Sequence, residues 1–91
     1  MVNQVEVHKQ VNYYTTYFKK KRSERQIYIM VNAITRVCEN WFPHQTPSLY
    51  VMYLAADASL SIINKSKSEW AMIAELEEEL IKDYTTFNQL V

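Results

Sequence analysis

Four stretches of this chain place apolar residues at the alternating three- and four-residue steps that line one face of a helix. In the first, Val7, Val11, Tyr14 and Phe18 form the stripe, and Tyr13 and Tyr17 widen it. The second opens at Ser23, which with Gln26 three residues on has the spacing of a capping box. Ile27, Val31, Ile34, Cys38 and Trp41 then make the cleanest amphipathic pattern in the chain. The β-branched run Ile27–Val31 is strand-like by itself, but the helical period continues well past strand length. Pro43 stops this segment. Thr46-Pro47 predicts the next start, with threonine as N-cap and proline at the first helical position. The third stretch carries Leu49, Met52, Tyr53, Ala56, Leu60 and Ile63. It is apolar around much of its circumference, which predicts the central helix. Asn64 is its expected stop in place of a glycine. Ser66 and Glu69 have the spacing of a second capping box, followed by Trp70, Ile73, Leu76, Leu80, Tyr84 and Phe87 on one face of the fourth stretch.

The expected helices are 4–22, 24–41, 47–63 and 67–89, packed as one all-α domain over residues 1–91: a small bundle of about four helices. Neither proline nor glycine separates the first two. Their fusion into one long first helix stays open, and such a helix would favour a dimer.

Composition sharpens this picture mainly by what is missing. The 91 residues include no glycine, where average usage would give about six. A dinucleotide-binding G-x-G-x-x-G loop, a P-loop and a G-x-S-x-G nucleophile elbow are therefore excluded, because each needs backbone without a Cβ close to a ligand or at positive φ. Tight hairpins are disfavoured for the same reason. An apolar content of 48% supports a core without disulfides or metal. Tyrosine, with seven copies, is the commonest aromatic; it suits core edges and interfaces, where the ring is buried and the hydroxyl stays wet.

The net charge is zero, yet the charges are segregated. Residues 1–42 carry seven basic against three acidic side chains, and residues 43–91 carry three against seven. Such asymmetry predicts complementary faces within the fold, between copies, or towards a charged partner. It argues against strong nucleic-acid binding by this chain alone. Lys19, Lys20, Lys21 and Arg22, with Arg25, form the one basic cluster, a candidate contact for phosphate or for an acidic protein surface. Glu75, Glu77, Glu78 and Glu79 form the acidic counterpart. Of these, Glu75, Glu78 and Glu79 share a helix face and are candidate partner contacts.

No catalytic or metal-binding pattern emerges. Cys38 lies on an apolar stripe as a small core residue, and as the only cysteine it excludes an intrachain disulfide. Cys38, His44 and His8 lack the paired short spacings of a zinc site. No cofactor is implied, and the expectation is a non-enzyme. Met1–Gln4 shows no basic stretch leading into an apolar one, so no signal peptide is expected. The longest apolar run, Leu49–Ala56, is too short to span a bilayer. The expected location is cytoplasmic, without a membrane partner.

Arg36-Val37-Cys38-Glu39, followed by Leu49–Asp57 reading L-Y-V-M-Y-L-A-A-D, resembles the Hha/YmoA family of small nucleoid-associated regulators. That family has a similar R-V-x-E at the end of one helix and, one helix later, an aromatic-x-A-A-D, matched here by Tyr53, Ala55, Ala56 and Asp57. The resemblance covers about residues 30–65. Beyond it the chain departs from the family in its longer N-terminal helix, its acidic C-terminal helix, the position of Trp70, and Pro43 and Pro47. The resemblance implies an all-helical regulator that binds the oligomerisation domain of H-NS-type silencers. It implies that Asp57, with Tyr53 nearby, contacts the partner, while basic residues assist DNA contact indirectly.

The function these features favour is a helical regulator or adaptor acting by protein–protein binding, possible homodimerisation included. A phage- or plasmid-borne inhibitor or immunity protein belongs to the same class. A direct DNA-binding regulator using Lys19–Arg25 is the alternative.

Overall fold

The structure, a computed structural model, describes residues 3–90, with side chains as far as Thr86. It consists of α1 (Gln4–Tyr17), α2 (Glu24–Trp41), α3 (Leu49–Leu60) and α4 (Glu69–Leu90), with no strand among the described residues. Phe87, expected on the inner face of α4, lies outside the described side chains.

Capping chemistry sets the helix starts. The Asn3 side chain accepts the Glu6 N–H at 2.9 Å to open α1. Ser23 and Gln26 form the full capping box of α2: the Ser23 hydroxyl accepts the Gln26 N–H at 3.1 Å, and the Ser23 N–H donates to Gln26 Oε1 at 3.0 Å. At α3 the N-cap is Ser48 rather than Thr46. Its hydroxyl accepts the Val51 N–H at 3.3 Å, and Pro47 tucks into the interior just upstream instead of opening the helix. At α4 the cap is Ser68 rather than Ser66, since the Ser68 hydroxyl takes the Ala71 N–H at 3.3 Å.

Two helices stop earlier than the periodicity suggests. α1 ends at Tyr17, not at Arg22, because the chain turns through Lys19 at φ 55°. The Lys20 N–H bonds back to the Thr15 carbonyl at 3.0 Å and the Lys19 N–H to the Thr16 carbonyl at 3.1 Å. This is a Schellman closure, with lysine in the left-handed position that glycine usually fills. α1 and α2 are therefore separate helices, not one long one. α3 ends at Leu60, where the N–H groups of Ile62 and Ile63 both turn back to the Ser59 carbonyl. Asn64 caps no helix. Its side-chain oxygen accepts from the Ser66 N–H at 3.0 Å and the Ser66 hydroxyl at 2.7 Å, an Asx-type turn in the loop before α4.

The central helix is α2, not α3. α2 packs against all three others and buries residues on most of its circumference: Ile29, Met30, Val31, Ala33, Ile34, Thr35, Val37 and Cys38. α3 also meets the other three helices, but it leaves Tyr50 and Leu54 exposed. α4 lies along α2 in the same direction, since the contacts Arg25–Glu69, Arg36–Glu77 and Phe42–Tyr84 occur in matching order along both helices. Its Met72, Ile73, Leu76, Leu80 and Tyr84 fill the seam. α1 packs on α2 and α3 and does not reach α4 among the described residues. Its link to α3 is aromatic: Tyr14 and Phe18 meet Tyr50 and Tyr53, and the Phe18 and Tyr53 rings lie within 10° of parallel at 6.1 Å. Trp41 and Trp70, expected on inner stripes, are exposed instead. Each occupies the terminal turn of its helix.

Candidate functional site

The residues expected to meet a partner fall into two groups. Tyr53 is only 1% exposed, held under Tyr14 and Phe18, and offers no surface. The Asp57 side chain is 15% exposed and already engaged: it accepts from Arg22 and lies 3.7 Å from Lys20 Nζ. Removing Asp57 would strand the largely buried Arg22 guanidinium away from water. Around it the Arg22 Nε and the Tyr53 hydroxyl are buried without hydrogen-bond partners among the described residues. On α4, Glu75 pairs with Lys67 at 3.2 Å and Glu79 with Lys82 at 3.5 Å, while Glu78 is exposed and makes no ion pair among the described residues.

Much of the segregated charge is thus matched inside the chain. Arg25 of the basic cluster bonds to Glu69 at 3.2 Å, and Arg36 to Glu77 at 2.9 Å. These pairs tie α2 to α4. The first pair is half-exposed on both sides and contributes little stability by itself, whereas the Glu77 side chain of the second is largely buried. Lys19 and Lys21 are the members of the cluster left exposed without an ion pair among the described residues.

The Cys38 thiol is buried against the core. Burial, aided by the neighbouring Glu39 carboxylate, raises its pKa from 9.0 to about 11, so it stays protonated at neutral pH. A thiol in that state is a poor nucleophile. Among the described residues no three of the His, Cys, Asp and Glu side chains converge on a point that a metal ion could occupy.

A concave surface lies elsewhere, between α1 and α2. An open groove of about 670 Å³ runs there, with Val5, Ile27, Tyr28 and Val31 along it and Gln4, His8, Lys9, Asn12, Glu24 and Asn32 at its polar edges. The rim is ordered by its own hydrogen bonds. Gln4 Nε2 donates across the groove to Asn32 Oδ1 at 3.3 Å, Asn32 Nδ2 donates to the Tyr28 carbonyl at 2.8 Å, and Asn12 Nδ2 lies 3.1 Å from His8 Nδ1. Val5 and Tyr28 project apolar surface into water. On the outer side of α1 the surface continues through Tyr13 and Tyr17, 59% and 66% exposed. Their rings lie within 22° of parallel, with centroids 6.2 Å apart.

Sequence reasoning assigned Tyr13 and Tyr17 to the core stripe and did not single out Val5 or Tyr28. The signal was present: measured from the buried positions Val7, Val11 and Thr15, residues 5, 13 and 17 point away on a helical wheel. The chain is therefore a four-helix domain with an apolar, polar-rimmed groove and an aromatic outer face on its first helix pair. Comparison with protein-family models, curated proteins and solved structures finds no match for it. The residues that carry the resemblance to the Hha/YmoA family include the core positions Val37, Cys38, Tyr53 and Ala56, together with Arg36 and Asp57, both in ion pairs of this chain's own.

Proposed function

We propose that this chain is a non-enzymatic helical regulator or adaptor that works by docking another protein in the α1–α2 groove. The observation that carries the proposal is the groove itself: it is lined by apolar side chains interleaved with polar ones that hydrogen-bond to each other, and it leaves Tyr28 and Val5 in water. That is the anatomy of a protein interface, with an aromatic anchor surrounded by polar groups. A helix laid in the groove would bury Val5, Ile27 and Tyr28 together. An H-NS-type oligomerisation domain is one partner of this kind, and a target blocked by a small inhibitor is another.

The test is affinity capture from host lysate under nuclease, comparing the wild type with Tyr28→Glu and Trp70→Glu. The expected result is one stoichiometric protein that is lost with Tyr28→Glu and kept with Trp70→Glu. Capture indifferent to Tyr28→Glu would remove the groove from consideration. Light scattering on the same proteins reads self-association: a dimer mass that falls to the monomer in Tyr28→Glu would make a second copy the occupant.

A further inference from the structure

Ten cationic side chains are present, and six of them sit in ion pairs within the chain. Of the four that make none among the described residues, Lys9, Lys19 and Lys21 flank the exposed pair Tyr13 and Tyr17 in sequence. Lys9 stands one turn before Tyr13 on α1. Lys19 and Lys21 follow Tyr17 in the turn that closes the helix. Between them Asn12 and Thr16 present neutral polar side chains beside the two rings. The basic turn holds four cations, Lys19 to Arg22, against the paired carboxylate Asp57 and the exposed Glu24 two residues on, so it keeps a surplus of positive charge. The one acidic side chain of α1, Glu6, lies at the opposite end of the helix.

We infer that the outer face of α1 binds single-stranded nucleic acid, with bases stacking on Tyr13 and Tyr17 and phosphates meeting Lys9, Lys19 and Lys21. This goes beyond protein docking in the groove: it rests on the tyrosine face of α1, which shares only Lys9 and Asn12 with the groove's lining. Two near-parallel tyrosine rings in water, with Lys9 on the same surface and further cations in the turn that follows Tyr17 in sequence, supply the stacking platform and the positive charge that unpaired strands use. An acidic peptide would satisfy the lysines but leave the ring faces wet. A duplex keeps its bases stacked and hides them from the rings. Stacking of this kind is tolerant of sequence, and zero net charge on the chain implies binding that is modest and salt-sensitive.

The test is fluorescence anisotropy of a labelled dodecamer of thymidylate with the full chain at about 50 mM salt, beside a duplex of equal length. Binding to the single strand is expected to exceed that to the duplex. Substituting Tyr13→Ala and Tyr17→Ala together should weaken it at least about tenfold. Both side chains are mostly exposed, so helicity by circular dichroism should remain. The Tyr13→Phe, Tyr17→Phe pair keeps the ring faces and should bind like the wild type. Lys9→Gln with Lys21→Gln should weaken binding and flatten its salt dependence by about 0.7 in slope per lost phosphate contact. Trp70→Ala, an exposed aromatic on another helix, should change nothing. No binding, equal binding of the duplex, or full binding by a folded Tyr13→Ala, Tyr17→Ala protein would each overturn the proposal.

Discussion

α1 and α2 are both aromatic, both amphipathic by period, and packed side by side, yet they use their apolar residues in opposite ways. α2 turns most of its apolar side chains inward, and Ile29, Met30, Ile34 and Val37 are at most 1% exposed. α1 buries Val7 and Val11, half-buries Tyr14 and Phe18, and sends Val5, Tyr13 and Tyr17 into water. The reason is position. α2 has neighbours on three sides, whereas α1 lies at the edge of the bundle against α2 and α3 only. A helix at an edge needs one apolar stripe for the core, so apolar residues beyond that stripe form a second surface. The groove and the tyrosine face both arise from this excess.

The contrast breaks most readily on stability. Ile34→Ala empties a site in the middle of α2 and should cost about 2–5 kcal/mol, while Tyr13→Ala on α1 should stay within about 1 kcal/mol. Urea denaturation at neutral pH measures both. Comparable losses would mean that the outer face of α1 is part of the core, and the case for a binding face would fall with it.

A second probe sits on the buried side of α2. Cys38 in the folded chain keeps a proton that the unfolded chain releases near pH 9, because its folded pKa is raised to about 11. Stability from this group is complete below pH 9 and declines as pH rises towards 11. A difference of that size amounts to about 2 kcal/mol by pH 11. Other groups titrate in the same window, so the quantity to follow is the gap between the wild type and Cys38→Ala. The wild type should lose more stability than the variant from pH 8 to 11. Parallel curves would show that the thiol is in contact with solvent and that α2 is less enclosed than its packing indicates.

How much of this was legible follows the range of the interactions concerned. The bounds of α2 could be read because Ser23, Gln26 and Pro43 act on their own backbone neighbourhood. The early end of α1 could not, since it rests on a lysine adopting a conformation that composition associates with glycine. Tyr53 and Asp57 looked available because nothing nearby in sequence marks Tyr14, Phe18 and Arg22 as their neighbours; those contacts exist only once α1 folds over α3. The pairing of Arg25 with Glu69 and of Arg36 with Glu77 likewise needs α4 to run alongside α2 in the same direction. Segregated charge was visible as a fact, but its internal resolution was not. The groove was hidden for a further reason. A binding face without catalytic residues has no motif, and Val5 and Tyr28 become informative only when the core side of each helix is known.

The smallest expected effect tests the link between the two helices. Lys19 is the only residue at positive φ among the described ones, and a side chain there costs about 1 kcal/mol relative to glycine. Lys19→Gly should therefore stabilise the chain by about 0.5–1 kcal/mol, read as a rise in the urea midpoint at unchanged slope. The gain is offset by greater freedom of glycine in the unfolded chain, which sets the lower figure. The same substitution removes one of the cations of the turn that follows Tyr17, so single-strand affinity should fall while stability rises. That opposite movement would identify Lys19 as a residue kept at a backbone cost for its charge. If stability and affinity fell together, the turn would instead depend on contacts of the lysine side chain, and the separation drawn between core-forming and partner-facing parts of α1 would fail at its C-terminal end.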